Sequence, residues 1–594
     1  MFSKTFSKNG NISIFVHWSK NNELDCDTLN YLKELKLVSE IVLFVSNSRL
    51  AEKEKRRLEE LAVCFIQREN RGYDFWGWRE GIFTLKERLK TAQNLILCNS
   101  SCFLAFNTIS NVLTKMDDKA DLWGITAFKN KTTPYHLQSY FLVFKKSLLS
   151  QWSDFITFWE ELPELETWSA AVTLGELRLT NNYNKLGYEC RPLIDPCTLP
   201  SEDVNPSVFY AEELLKLGSP LLKKKIFTED YSLLLSASRG LVASASISFI
   251  KDNAGNYENI MRYLINCCSP SQLIERLHLT FFDIEKEITH KSYVNKTAVI
   301  CFVYYEDMIP YMTKVLFRFS DCADLYIVSS KENVLLKYKD LLKDYPLEVE
   351  FRLQPNRGRN EAAYFLTCRD VWDRYQYICA LHDKKSPSLT PQLLGLEFMR
   401  HCEQNLCSDK ASINSIISIF ESNDLLGLLI PPYPIFGSFI PGMYESMGRN
   451  FKELCSLNIK LFKGKLFSGN EIDVREAPYG GMFWARTKAL RPLLDSSLRL
   501  TDFPEEPLSA SDGTFLHALE RCYPLVCRQT YHYTARITSP SLLSNQFDNL
   551  LFLNLKLGVL KKLQLILKII VKKKLSRHPL LYDLTRKVYN SIFR

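Results

Sequence analysis

Short apolar strands alternate with helical segments in both halves of this chain, and this alternation limits the folds that the chain can adopt. Predicted strands lie, in order, at 11–16, 40–45 and 62–66 in the first half and at 298–303, 324–330 and 377–381 in the second. The segments between them carry apolar residues at helical spacing. The pattern predicts an α/β fold, in which a mostly parallel sheet is covered by helices.

Matching motifs in the same order indicate that the two halves are repeats. NRGYD matches NRGRN, LILCNSS matches YICALHDKKS, DLWGITA matches DLLGLLI, and two further pairs follow downstream. Since 594 residues also exceed what one core holds, we predict a duplicated domain. The predicted division is a first α/β domain at 1–195, a helical connector at 196–295, a second α/β domain at 296–540 and basic helices at 541–594.

An Asn-Arg-Gly turn opens a predicted helix in each repeat, and polar residues end the strand that follows the helix. Glycine lets the backbone approach a ligand closely, and a helix N-terminus offers N–H groups to a phosphate. Ligands of open α/β sheets bind outside the carboxyl ends of the strands. The predicted nucleotide-binding residues are Asn70, Gly72, Asp74 and Asn99 in the first repeat and Asn356, Arg357, Gly358, His382, Asp383, Lys384 and Arg521 in the second.

The residues that follow the predicted strand at 377–381 leave open how the charge of a diphosphate would be neutralised. A sugar-nucleotide transferase must stabilise a departing diphosphate, often with a metal held by paired carboxylates. No acidic pair occurs here, so Asp383 is the candidate ligand for Mg²⁺ or Mn²⁺, and Lys384 with Lys385 is the alternative counter-charge. A solvated surface turn would also explain the two lysines, and a structural salt bridge would explain Arg521.

A carboxylate late in each repeat is the candidate base that deprotonates an acceptor hydroxyl. Glu176 and Asp512 each precede a predicted helix that ends in a Tyr-containing turn, so we expect them to occupy equivalent places. Such a base contributes about 10²–10⁴ in rate. Asp512 also suits a helix N-cap, and that alternative stays open.

The terminal segments, the cysteines and the net charge indicate the cellular compartment and the binding partners of the chain. We predict no signal peptide and no transmembrane helix, and 17 cysteines without a Cys-x-x-Cys pair indicate reduced thiols in the cytoplasm. The net charge of +8 is small for this length and does not indicate a nucleic-acid partner. Residues 551–577 combine leucine and isoleucine with eight cations and no acid, which favours the surface of an anionic membrane over packing against the protein body.

Taken together, these motifs resemble the rhamnan synthesis F family, transferases of bacterial cell-surface rhamnose polysaccharides. NRGRN, HDKKSP, GMFWARTKAL, DFPEEP and SDGTFLHALER carry the resemblance in 298–535, and VHW, FVSNS, NRGYD, LILCNSS and LQSYFLVFKK carry it in 11–230. It implies two tandem A-type glycosyltransferase domains, Rossmann-like in fold, that use dTDP-rhamnose with inversion. Two departures stand out: Asn360 replaces the aspartate seen at Asp74, and Asn99 is not followed by an acid.

The resulting hypothesis is a cytoplasmic glycosyltransferase, peripheral at the inner face of the cell membrane, that acts on a lipid-linked surface polysaccharide such as O-antigen or capsule. Both domains are expected to be active, or one active and one degenerate. A non-catalytic glycan- or nucleotide-binding scaffold is the alternative from another class. An insertion at 431–480, rich in Pro, Gly and aromatic residues, is predicted to bind the acceptor or to act as a lid.

Overall fold

The computed structural model divides the chain into two compact units, Met1–His278 and Leu279–Arg594, called unit 1 and unit 2 below. The structure describes residues 10–115, 120–283, 296–385, 391–437, 450–467, 475–508 and 512–556. The membrane-contact prediction for 551–577 lies almost entirely outside these ranges, as do 438–449 and 468–474 of the predicted acceptor insertion.

Unit 1 is built on a mixed sheet with a parallel centre. Its strands are β1 (Asn11–His17), β2 (Ile41–Ser46), β3 (Cys64–Gln67), β4 (Asn94–Asn99), β5 (Cys102–Leu104), β6 (Leu122–Phe128), β7 (His136–Leu137), β8 (Phe141–Lys145), β9 (Cys190–Ile194) and β10 (Leu221–Lys223). The sheet order is β3-β2-β1-β4-β8-β6-β7, and β9 pairs with β6. Strand β8 is antiparallel to both neighbours, while β5 and β10 form a separate antiparallel ribbon.

Helices cover both faces of this sheet, which is why every residue of β1 is buried. The helices of unit 1 are α1 (Cys26–Val38), α2 (Glu52–Glu60), α3 (Tyr73–Thr84), α4 (Lys86–Leu89), α5 (Ile109–Thr114), α6 (Lys146–Leu149), α7 (Trp152–Glu160), α8 (Trp168–Ala170), α9 (Arg178–Lys185), α10 (Pro206–Phe209), α11 (Ala211–Lys216), α12 (Lys225–Thr228), α13 (Tyr231–Ala237), α14 (Val242–Asp252), α15 (Tyr257–Cys267) and α16 (Pro270–Leu277). Phe15 of β1 packs into one core, and Ile14 and Val16 pack into the core on the other face.

Unit 2 contains a second eight-stranded sheet. Its strands are β11 (Thr280–Phe282), β12 (Thr297–Phe302), β13 (Ala323–Ser329), β14 (Val349–Leu353), β15 (Tyr377–His382), β16 (Leu426–Ile430), β17 (Phe483–Arg486) and β18 (Tyr533–Thr538). Its helices are α17 (Ile309–Leu316), α18 (Glu332–Leu341), α19 (Arg359–Ala362), α20 (Val371–Arg374), α21 (Leu393–Cys407), α22 (Lys410–Glu421), α23 (Asn450–Phe462), α24 (Arg491–Leu494) and α25 (Phe515–Gln529). Residues 540–556 are also helical.

The two sheets share one strand order. Unit 1 reads β3-β2-β1-β4-β8-β6-β9, and unit 2 reads β14-β13-β12-β15-β17-β16-β18, with β8 and β17 as the antiparallel strands in the same place. The predicted α/β class is confirmed. Duplication of an ancestral domain stays a prediction, which this common order supports.

The segment predicted as a helical connector, 196–295, does not stand apart from the units. It contributes helices α10 to α16 and strand β10 to unit 1 as far as His278, and β11 then pairs with β18 in unit 2. Residues 284–295 lie outside the described ranges. The pairing of β10 with β5 matters for function, because it carries Lys223 to the carboxyl end of β4.

Candidate active site

In unit 1, the Asn-Arg-Gly turn fixes the start of α3. Gly72 has φ +69°, and a Cβ at this position would lie 2.2 Å from Cγ of Trp76, so the turn requires glycine. Helix α3 lies close on β1, since a Cβ on Gly77 would come within 2.8 Å of Val16. This packing places Asp74 in the first turn of α3, while Asn70 stays on the surface.

A chain of hydrogen bonds links Asp74 to a lysine that the sequence analysis missed. Asn99 Nδ2 donates to Asp74 Oδ2 at 2.8 Å, and Ser101 Oγ donates to Asn99 Oδ1 at 2.5 Å. Lys223 Nζ then donates to Ser101 Oγ at 3.2 Å. Burial raises the pKa of Asp74 to about 6, although the charge of Lys223 and the Asn99 hydrogen bond oppose the rise.

Glu176 belongs to the same site. It lies in a π-helical stretch, Ala171–Leu177, a distortion often found at functional sites. Its Oε1 accepts hydrogen bonds from Ser139 N at 2.7 Å and from Ser139 Oγ at 2.9 Å. The charge of Glu176 also contributes to the raised pKa of Asp74. Unit 1 therefore brings together the predicted residues Asp74, Asn99 and Glu176, with Lys223 as their cation.

In unit 2, hydrogen bonds and an ion pair made by its arginines hold the corresponding turn in place. Gly358 has φ +78° and opens α19. Arg357 Nε donates to the carbonyl of Phe503 at 2.7 Å, so this predicted ligand residue holds the turn in place. Arg359 binds both carboxylate oxygens of Glu506, at 2.7 and 2.9 Å. Asn356 is exposed, and its Oδ1 accepts a 3.4 Å hydrogen bond from Ser330 Oγ.

His382 ends β15 and faces a glycine turn that precedes β17. Its Nε2 lies 2.5 Å from the carbonyl oxygen of Gly480, and its Nδ1 lies 2.7 Å from the carbonyl oxygen of Asp383. Burial lowers the pKa of His382 to about 4, with Lys384 acting in the same direction. The imidazole is therefore neutral near pH 7 and donates through one of its two nitrogens. Its contacts assign it a positioning role in this turn.

Asp383 was the candidate ligand for Mg²⁺ or Mn²⁺, and its surroundings do not fit such an ion. Its Oδ2 accepts hydrogen bonds from the N–H groups of Tyr304 and Tyr305, both at 2.8 Å, while Oδ1 is buried without a hydrogen bond in the described ranges. Within those ranges, no three His, Cys, Asp or Glu side chains are grouped to hold a metal. A single carboxylate can hold Mg²⁺ when water and phosphate supply the other oxygens, but it must expose an oxygen to the ion. Neither oxygen of Asp383 does so, because Oδ2 already accepts two N–H groups and Oδ1 is buried.

Charged side chains from α25 and from Lys384, which follows β15, meet beside the same glycine turn. Arg521 Nη1 donates to Glu520 Oε1, and the Gly480 N–H donates to that oxygen at 3.2 Å. The guanidinium of Arg521 stacks 4.2 Å from the ring centre of Tyr479. Burial lowers the pKa of Lys384, and the negative charge of Glu520 opposes this shift. Lys384 and Arg521, both predicted from sequence, thus lie in one cluster with Glu520.

Glu361 is a buried acid at the edge of this cluster. It follows the Asn-Arg-Gly turn in α19 and is only 2% exposed. Burial and the charge of Glu520 hold the pKa of Glu361 well above the usual range for a glutamate, which favours the protonated form of its side chain. Its Oε1 accepts a hydrogen bond from Asn360 at 3.0 Å. Glu520 is the carboxylate of this cluster that accepts from Arg521.

Asp512 is held in the loop before α25 and is not the N-cap of that helix. The N-cap is Thr514, which rules out the capping alternative for Asp512. Asn450, a buried residue at the start of α23, donates from Nδ2 to Asp512 Oδ1 at 2.9 Å. The Gly513 N–H donates to Asn450 Oδ1 at 3.1 Å, so Asn450 fixes both the side chain and the loop.

The strand registers do not support the expected equivalence of Glu176 and Asp512, because they match Glu176 with another residue. Asn99 and His382 end the corresponding strands β4 and β15 and are taken as counterparts. The pairing of these strands with β8 and β17 then matches Phe144, opposite Leu95, with Ala485, opposite Ile378. Through β6 and β16 the match extends to Leu122 and Leu428 and, on the next strands, to Cys190 and Thr534. The same number of residues separates Glu176 from Cys190 and Glu520 from Thr534. Glu520 is therefore the counterpart of Glu176.

Comparisons with known proteins relate the chain to polysaccharide synthesis. The family described as Rhamnan synthesis protein F matches residues 42–531. The uncharacterized protein y4gN of Sinorhizobium fredii is 29% identical over 158 residues, which make up 26% of this chain and 41% of that protein. The uncharacterized protein WxcX of Xanthomonas campestris pv. campestris is 25% identical over 253 residues, 42% of this chain and 33% of WxcX. The chain thus spans less than half the length of these relatives.

A search of solved structures matches the apo form of the glycosyltransferase GlyE from Streptococcus pneumoniae TIGR4. The match covers 65% of this chain and 89% of GlyE, with a TM-score of 0.23 and 10% identity.

Proposed function

The chain belongs to the rhamnan synthesis protein F family, and on this premise we propose that it is a glycosyltransferase of polysaccharide synthesis, which uses a nucleotide-sugar donor and a glycan acceptor. The observation that carries the proposal is the charged cluster at the carboxyl edge of each sheet. In unit 2, Lys384 and Arg521 lie beside the carboxylate of Glu520. In unit 1, Lys223 lies with Asp74 near Glu176.

The cluster contains the groups that sugar transfer needs. Ammonium and guanidinium groups bind a diphosphate and stabilise the negative charge that it gains on leaving. A carboxylate in the site takes the proton of the hydroxyl group that attacks the sugar. We propose Glu176 for this role in unit 1, and Asp512 is the candidate in unit 2 that the sequence supplied. No step requires a metal at Asp383.

The finer assignments follow from the family. We propose dTDP-rhamnose as the donor, transfer with inversion at the anomeric carbon and a lipid-linked surface polysaccharide as the acceptor. Nucleotide and sugar identity depend on pocket contacts outside the cluster. Asn70, Gly72, Asn356 and Gly358 remain the residues proposed to approach the nucleotide.

Attachment to the inner face of the cell membrane is proposed from the C-terminal residues. The helix at 540–556 exposes Phe547, Phe552 and Leu555 by 57%, 65% and 73%. The sequence beyond it is rich in lysine and leucine, a composition suited to anionic lipid. Within the described residues, no single helix has the length and apolarity to span a membrane, and the bent pair α13 and α14 meets the criteria only jointly.

Membrane attachment can be measured by flotation with vesicles of anionic or neutral lipid. We expect the full chain to float with anionic vesicles, and a chain lacking 551–594 to stay in the soluble fraction. Equal flotation of both proteins would refute this attachment.

Transfer can be tested with purified protein, a panel of nucleotide sugars that includes dTDP-rhamnose, and a lipid-linked acceptor. The readout is nucleotide released by the wild type and by Glu176→Gln and Asp512→Asn. Exposed carboxylates at Glu60 and Asp340 supply matched controls, as Glu60→Gln and Asp340→Asn. Loss in one site variant would assign the working unit, and partial loss in each would indicate two linkages. Binding of a nucleotide sugar without turnover would favour the scaffold.

A further inference from the structure

We propose that Glu520 is the residue that deprotonates the acceptor in unit 2, as the structural counterpart of Glu176 in unit 1. The inference rests on the proposed glycosyltransferase function and names a catalytic residue within it. It follows from contacts that the two units repeat at matching positions, although the sequences around them differ.

The first repeated contact is the anchor of each carboxylate. Glu176 Oε1 accepts from the Ser139 N–H at 2.7 Å, and Glu520 Oε1 accepts from the Gly480 N–H at 3.2 Å. Ser139 and Gly480 are themselves counterparts. Ser139 precedes Phe144 of β8 by the same number of residues as Gly480 precedes Ala485 of β17, and Phe144 and Ala485 are matched residues of the two antiparallel strands. Both units thus hold a glutamate by the same backbone group.

The second repeated feature is the free oxygen. Among the residues that the structure describes, the hydrogen bonds to these two side chains go to Oε1, from Ser139 in unit 1 and from Gly480 and Arg521 in unit 2. Across the described parts of the chain, Oε2 of either glutamate accepts none. A carboxylate fixed through one oxygen keeps the other for a ligand proton, which is the arrangement that a general base requires.

The neighbours of Glu520 place it nearer the strand ends than Asp512. Glu520 accepts from the N–H of Gly480, and the carbonyl oxygen of the same Gly480 lies 2.5 Å from Nε2 of His382, the last residue of β15. Asp512 instead accepts from Asn450 at the start of α23. Since ligands bind at the carboxyl ends of the strands, a donor diphosphate on Lys384 would bring its sugar towards Glu520.

The step is balanced without a further reactant. The acceptor O–H gives its proton to Glu520 Oε2 as its oxygen bonds to the anomeric carbon. The bond from that carbon to the phosphate oxygen breaks, and the electron pair leaves with the nucleoside diphosphate. Lys384 and Arg521 neutralise the charge that develops there.

The experiment compares Glu520→Gln with Asp512→Asn in the full chain, both in a Glu176→Gln background that silences unit 1. We expect Glu520→Gln to lower transfer by about 10²-fold or more, and to lower it more than Asp512→Asn does. Binding of the nucleoside diphosphate should change by less than about threefold in Glu520→Gln, because the cations that hold it remain. Glu520→Asp should restore part of the transfer.

Nucleotide binding measured on the same variants separates catalysis from a structural effect. A catalytic role of Glu520 predicts that Glu520→Gln lowers kcat for transfer by unit 2 at saturating donor, whereas a structural role would lower nucleotide binding and kcat together. A Glu520→Gln protein that retains transfer while Asp512→Asn loses it would overturn the inference and assign Asp512. Absence of both nucleotide binding and turnover in the wild type would overturn the proposed function as well.

Discussion

Replacing Gly358 by alanine tests whether the turn before α19 needs glycine for its backbone angle or for close packing. Gly358 has φ +78°, which costs an L-residue about 1 kcal/mol. A Cβ would also lie 2.7 Å from Cβ of Ala362 and 2.9 Å from Cγ of Phe503. Ala362 is fixed to the helix backbone and Phe503 is 1% exposed, so neither can move aside freely.

The two contributions can be separated with a second glycine that has nearly the same φ angle. Gly464 has φ +77°, and a Cβ there would meet no atom within 4 Å. Gly464→Ala should therefore cost about 1 kcal/mol or less, because alanine also reduces the entropy of the unfolded chain. Gly358→Ala should cost about 1–3 kcal/mol more, which is the usual range for overpacking.

Urea unfolding of the wild type and the two variants measures this difference. The transition of unit 2 should shift to lower urea in Gly358→Ala, with Gly464→Ala between it and the wild type. Equal destabilisation by the two substitutions would refute the packing argument, and only the backbone angle would then explain Gly358. Because Gly358 fixes Arg359 and Asn360 beside the site, we also expect Gly358→Ala to weaken nucleotide binding.

Three further predictions concern the two sites. The pKa of Asp74 rises from its ordinary value of 3.8 to about 6 in the folded protein. Between these two pH values the folded protein holds a proton that the unfolded chain has lost, so the free energy of unfolding falls as the pH rises. Asp74→Asn should reduce this pH dependence of the urea midpoint, measured from pH 4 to 8. Lys223 lowers the pKa of Asp74, so Lys223→Met should raise that pKa further. The loss of stability with rising pH should then continue to a higher pH in the same assay. Asn450→Ala leaves Gly513 N–H without its acceptor and should destabilise unit 2 by about 1–3 kcal/mol in urea unfolding, while costing less transfer activity than Glu520→Gln.

Local pattern was sufficient to predict the elements that surround each site. The run from Ala298 to Phe302 is apolar throughout and lies in the fully buried strand β12, as predicted from its composition. The turn glycines Gly72 and Gly358 were also recognisable, because a positive φ between a strand and a helix favours glycine. Their neighbours were harder to assign: Arg357 binds backbone carbonyls that are far away in sequence, and nothing in its local motif predicts that contact.

The sequence by itself determined the α/β class, the strand ends that carry His382 and Asn99, and the two Asn-Arg-Gly turns. These features depend on apolar periodicity and on residue conformation, which act over a few neighbouring residues. Only the tertiary structure decided that Glu520 is the counterpart of Glu176 and that Lys223 reaches Ser101. Both depend on the register between strands distant in the chain, and that register is set by packing of the whole sheet.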